Sequence, residues 1–220
     1  MALDVPGFGA AVAIVPIASE AKRPVVIALH GNYDRPEWQC EVWSQIAGAG
    51  AFVLCPRGVP RTDAPRGEDR WTWDGLQKTA AEVDAAISAL SARYEGRVDA
   101  SRAVLVGFSL GATMAARIGT RHPERFARLV LVEGGDAAWT SPVAQGYAKG
   151  DGVRVLAAYG QPACSQRFRA LAWAFRSAEL PFRVVGTSKA GHTYDGAVAE
   201  SVAQNFGWFV EGDSRFGAAE

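Results

Sequence analysis

Val104-Leu105-Val106-Gly107-Phe108-Ser109-Leu110-Gly111-Ala112-Thr113-Met114-Ala115 changes its periodicity midway. The opening is a continuous apolar run, as in a strand buried on both faces, and the close is a run of small residues with helical spacing. Between them stands a serine with a glycine two residues before it and another two residues after. A strand that turns into a helix within so few residues brings the two backbones almost into contact, and glycines relieve the crowding. Strand followed directly by helix is half of a βαβ unit, so the rest of the chain decides whether the unit repeats.

It does repeat. Short apolar runs at 11–17, 25–30, 51–54, 103–107, 129–132, 153–158 and 182–185 read as strands, and segments with helical spacing at 37–46, 76–94, 110–121, 165–177 and 197–210 lie between most of them. Alternation of this kind predicts a three-layer α/β fold: a mostly parallel central sheet of about seven strands with helices on both faces. The first two runs are joined only by a short polar connector, Ser19 to Pro24, which predicts that they pair antiparallel at one edge. Ligands of such sheets sit beyond the carboxyl ends of the strands.

The chain has 220 residues, 49% hydrophobic and 21% charged, with no repeat or linker, so one domain over 1–220 without a separate lid is expected. Lys plus Arg equals Asp plus Glu at 23 each, which removes the long-range field that nucleic-acid binding relies on. The apolar stretch 9–18 contains Pro16 and is too short for a membrane span. Three cysteines cannot form a disulfide framework, so a cytoplasmic, reducing setting is expected; a removed export signal would change that.

A serine hydroxyl needs a general base to act as a nucleophile. Of the three histidines, His122 lies in a polar helix end and His30 closes a strand where it orients a loop, which leaves His192 in the loop before the last helix. The serine-first, histidine-last order fits a strand-turn-helix nucleophile site. Backbone amides at Leu110, at the positive end of a helix, and at Asn32, just after His30-Gly31, are placed to bind a developing oxyanion.

His30-Gly31-Asn32, Cys55-Pro56-Arg57-Gly58, Trp73-Asp74, the elbow from Gly107 to Gly111 and Gly191-His192 together resemble the α/β-hydrolase superfamily, in particular its small lidless esterases of the phospholipase/carboxylesterase and dienelactone-hydrolase type. The resemblance implies hydrolysis of carboxylic esters or thioesters through an acyl-serine, with Ser109, His192 and an acid as the triad and no metal or organic cofactor. It also implies a departure. In most of that family the acid follows the strand equivalent to 153–158, but here the turn is Tyr159-Gly160-Gln161-Pro162, with no carboxylate. Some superfamily members take the acid from the preceding strand, and this chain offers Glu133 at that strand's tip, with Asp136 as the alternative.

Among the seven tryptophans, Trp38, Trp71, Trp73 and Trp139 fall in loops or helix starts after strand ends, with Trp71, Trp73 and Trp139 the candidates to line a substrate site, while Trp43, Trp173 and Trp208 are expected to pack on helices. Arg57, Arg61, Arg66 and Arg70 share a loop with Asp63, Glu68 and Asp69, which reads as a solvated mixed-charge segment. The cysteines are structural by default, with Cys40 and Cys164 the expected bridge if the protein is exported, and their spacing does not suit a metal. The expected partner is a small ester substrate, and the expected state is monomer or homodimer. A noncatalytic binding protein of the same fold, or a lactone, polyester or peptide hydrolase, are the competing readings.

Overall fold

The computed structural model describes residues 1–16 and 21–216. In chain order its main elements are β1 (Ala2–Leu3), β2 (Ala11–Ile14), β3 (Arg23–Leu29), α1 (Pro36–Ala47), β4 (Phe52–Cys55), β5 (Val59–Pro60), β6 (Trp71–Thr72) and α2 (Gly75–Arg93). There follow β7 (Val98–Phe108), α3 (Leu110–Gly119), β8 (Arg128–Val132), α4 (Ser141–Lys149), β9 (Arg154–Tyr159), α5 (Pro162–Ala170), α6 (Ala172–Ser177), β10 (Phe182–Gly186) and α7 (Gly196–Val210).

Among the described residues eight strands form the central sheet in the order β1-β2-β4-β3-β7-β8-β9-β10, one more than expected because the two-residue β1 joins the edge. From β4 to β10 every neighbouring pair is parallel. The expected pairing of the first two long strands is corrected: β2 runs antiparallel to β4, with Ala13 opposite Leu54, and not to β3. The reason is that β3 is taken on both edges, with Val26 opposite Val53 on β4 and opposite Val104 on β7, so only the outer edge of β4 is open. The strand expected over 11–17 stops at Ile14; Ile17 and the connector residues Ser19 and Glu20 lie outside the described residues.

The pleat of β7 divides the core. Leu105 joins Leu29, Leu54, Val83, Leu90, Ala112 and Ala115 on the face covered by α2 and α3. Val104 and Val106 join Val26, Val53, Trp43, Val202 and Phe209 on the face covered by α1 and α7. Burying each Val or Leu contributes about 1.5–3 kcal/mol, and the two layers hold the strand ends rigidly where the site forms.

Two helical details differ from expectation. The helix predicted over 165–177 is broken at Leu171 into α5 and α6, and α4 is an additional helix. Its start is capped by Thr140, whose hydroxyl accepts from the Val143 amide, with Pro142 in the first turn; Thr-Ser-Pro is a legible helix-start signal.

Candidate active site

The strand-to-helix turn after β7 holds Ser109 at φ 54° and ψ −114°, in the left-handed half of backbone space, where a side chain is strained. Only glycine fits two residues before it and two residues after it. A Cβ on Gly107 would strike the Gly111 carbonyl, and a Cβ on Gly111 would strike the backbone carbonyls of Leu29 and His30. The turn is tied to the next strand by the Ser109 amide, which donates to Val132 O at 2.8 Å. Glu133 at the tip of β8 has the same unusual φ of 54°, and Tyr33 in the loop after β3 has φ 63°. Strained backbone gathered at three neighbouring strand ends is a mark of a functional site.

These ends converge. Ser109 Oγ lies 2.9 Å from His192 Nε2, and His192 Nδ1 lies 3.1 Å from Glu133 Oε2. The other carboxylate oxygen of Glu133 accepts from the backbone amides of Gly160 and Gln161, the latter at 2.8 Å. Those amides occupy the turn after β9 that lacks a carboxylate of its own. The Glu133 side chain is only 1% exposed, whereas that of His192 is 45% exposed, so the carboxylate is sealed behind an imidazole that reaches solvent. Asp136 is turned elsewhere, pairing with Arg167 at 3.0 Å.

The loop after β3 faces the histidine loop. Leu110 begins α3, where its amide has no helical acceptor four residues back. Asn32 is exposed, and its side-chain Oδ1 accepts from Arg61 at 3.1 Å. Asp34, which the sequence reading did not single out, is buried: one oxygen accepts from the Gly31 amide at 3.2 Å and the other from the Arg35 amide at 2.8 Å. The second oxygen also accepts from the Tyr194 hydroxyl at 3.2 Å, so this bond ties the two loops together. Burial, reinforced by Asp34, pushes the Tyr194 phenol far above its ordinary range and keeps it a donor. Phe108 fills the space beneath, with its ring 4.9 Å from His192 and 4.7 Å from Tyr194. An aromatic two residues after the histidine was the available signal. His30 is fully buried, with both ring nitrogens 2.7 Å from carbonyls of Gly31 and Arg57, and burial lowers its pKa.

The tryptophans divide. Trp73 stacks on His30 at 4.6 Å and donates to its carbonyl, and both Trp73 and Trp71 line a cavity of about 500 Å³ whose walls include neither Ser109 nor His192. Trp139 turns into the core instead, 4% exposed between Tyr147 and Phe175, because the residues after Glu133 fold back into α4. Trp43 is buried as expected, but Trp173 stands out from α6 at 65% exposure. The mixed-charge loop is paired internally through Arg61–Asp63 and Arg70–Glu68.

The cysteine expectation is corrected. Cys40 of α1 is bonded to Cys55 at the end of β4, because α1 packs on that strand, while Cys164 on α5 lies elsewhere and is free and buried. Burial, with the charge of Glu133 adding to it, pushes the Cys164 thiol up to about 12, which leaves it unreactive. Among the described residues there is no cluster suited to a metal ion, and no helix is long and apolar enough to cross a membrane.

A mostly parallel sheet between two helical layers, with a serine on a strand-to-helix turn facing a histidine and a buried carboxylate, defines the α/β-hydrolase class. Residues 20–145 match the family described as serine aminopeptidase, S33, and the chain belongs to that family. Solved structures of the same fold include esterase PE8, at TM-score 0.63 and 16% identity, over 95% of this chain and 100% of that one. The Bacillus cereus carboxylesterase is similar at TM-score 0.59 and 18% identity, over 90% of this chain and 92% of its own. An S-formylglutathione hydrolase from Agrobacterium tumefaciens is similar at TM-score 0.61 and 18% identity, over 92% and 89%. The sequence finds no match among curated proteins.

Proposed function

We propose that the protein is a serine hydrolase that cleaves carboxylic esters or thioesters of modest size through an acyl-serine intermediate. Ser109 attacks the carbonyl carbon as His192 takes its proton. The imidazolium then gives that proton to the departing alcohol or thiol, and water repeats the sequence to release the acid. Glu133 holds the imidazole with its proton on Nδ1 and stabilises its charged form. The amides of Leu110 and Asn32 receive the oxyanion. The observation that carries this reading is the unbroken chain of contacts, 2.9 Å and 3.1 Å, from Ser109 through His192 to Glu133. The esterase and carboxylesterase structures of similar fold favour esters over other acyl substrates.

Replacing the nucleophile tests it: Ser109→Ala lowers kcat on p-nitrophenyl esters by on the order of a millionfold. Undiminished turnover would rule the assignment out. The family description supports a second reading, peptide cleavage by the same serine. Aminoacyl p-nitroanilides hydrolysed faster than p-nitrophenyl esters would move the substrate class to peptides.

A further inference from the structure

Beyond the outer strands, residues 7–9, the β5–β6 ribbon and the first turns of α2 border the cavity of about 500 Å³ already noted. Its walls include none of Ser109, His192, Glu133, Asn32 or Leu110. Phe8, Trp71 and Trp73 supply an aromatic lining, and Glu82 and Lys78 supply charge. The volume lies in the range that admits a small organic molecule.

Glu82 is the unusual member. It is 4% exposed on α2, and one of its carboxylate oxygens accepts from two backbone amides, Arg57 at 2.9 Å and Gly58 at 2.8 Å. The other oxygen receives no hydrogen bond from any described residue, although a carboxylate offers acceptor sites on both. Burial raises the pKa of Glu82 above the ordinary carboxylate value, against the two backbone hydrogen bonds that lower it. The nearby cations hydrogen-bond elsewhere, although the Arg57 charge still attracts the Glu82 carboxylate. Lys78 pairs with Asp74, so those two charges cancel. The Arg57 guanidinium lies 4.9 Å over Trp71, donates to Ala10 O at 2.6 Å and pairs with Glu37 at 2.7 Å. What remains in the cavity is one negative charge with an open acceptor, bordered by aromatic side chains.

We propose that this cavity binds a primary ammonium ion carried on a small apolar body, with the ammonium donating to the open oxygen of Glu82 and the body lying against Phe8, Trp71 and Trp73. A neutral alcohol of the same shape lacks the charge, and a quaternary ammonium lacks the proton.

The test is a tryptophan-fluorescence titration of the full chain with benzylamine at neutral pH, with benzyl alcohol as the neutral control. Benzylamine is expected to change the emission saturably and to bind at least about tenfold more tightly than the alcohol, with Glu82→Gln removing that advantage. Because Glu82 also holds the Arg57–Gly58 turn, a second variant keeps the test decisive if Glu82→Gln does not fold. Phe8 is 36% exposed and lines the cavity, so Phe8→Ala removes part of the surface offered to the apolar body and weakens benzylamine binding. No saturable change, equal affinity for amine and alcohol, or unchanged binding in Phe8→Ala would each overturn the proposal. None of these measurements involves turnover, so they stand or fall separately from the hydrolase reading.

Discussion

Glu133→Gln changes one atom and tests the least conventional assignment in the site. One oxygen of Glu133 faces two N–H donors, Gly160 and Gln161, so glutamine must present its carbonyl there. Its NH2 is then left facing His192 Nδ1, where the carboxylate stood at 3.1 Å. A donor opposite Nδ1 requires that nitrogen to be unprotonated, which moves the imidazole proton to Nε2, the atom 2.9 Å from Ser109 Oγ. That tautomer cannot accept the serine proton. The lost charge adds to this, since two unit charges roughly 4 Å apart interact by about 4 kcal/mol at an effective dielectric near 20, on the order of a thousandfold in rate. With the tautomer inverted as well, kcat on p-nitrophenyl butyrate is expected to fall by about 10⁴-fold. Asp136 forms a partly exposed pair with Arg167, so Asp136→Asn changes kcat by less than about twofold. Near-native turnover in Glu133→Gln, or an equal loss in Asp136→Asn, would refute the reasoning.

Tyr194→Phe removes the hydroxyl that joins the histidine loop to Asp34, and is expected to lower kcat by roughly two- to tenfold with little change in KM. A rise in KM alone would show that the bond does not position the base. Opening the Cys40–Cys55 bond, which closes 15 residues, by paired alanines costs about 3 kcal/mol in urea unfolding; an unchanged midpoint would remove it as a structural element. His30 has a pKa lowered by burial, so the unfolded chain takes up a proton that the folded chain resists once the pH falls below 6.5. Stability from this source is therefore complete above pH 6.5 and declines as the pH drops below it. The urea midpoint should fall between pH 7.5 and 5.5 by more in the parent protein than in His30→Gln, and identical pH dependence in the two would contradict this.

The positions of Ser109 and His192 were legible because sterics leave few solutions. Only glycines at 107 and 111 let the strand and helix approach, and three histidines leave little choice of partner. Glu133 reads ahead of Asp136 from its place at a strand tip, but the amides of Gly160 and Gln161 that hold its carboxylate come from another strand and were not legible. The Cys40–Cys55 bond is equally nonlocal, set by where α1 lands on β4. The position of β2 depended on β3 being occupied at both edges, which no local connector length reveals. Trp139 is expected to line a substrate site because it follows a strand end, but the unpredicted helix α4 supplies Tyr147 to cover it.

The most direct test of an acyl-serine mechanism is to treat the folded protein with a fluorophosphonate and locate the adduct by mass spectrometry. The account predicts one phosphonyl group per chain, on the peptide carrying Ser109, with none on Ser109→Ala and labelling slowed sharply in Glu133→Gln. An unlabelled chain, or an adduct on another residue, would contradict it.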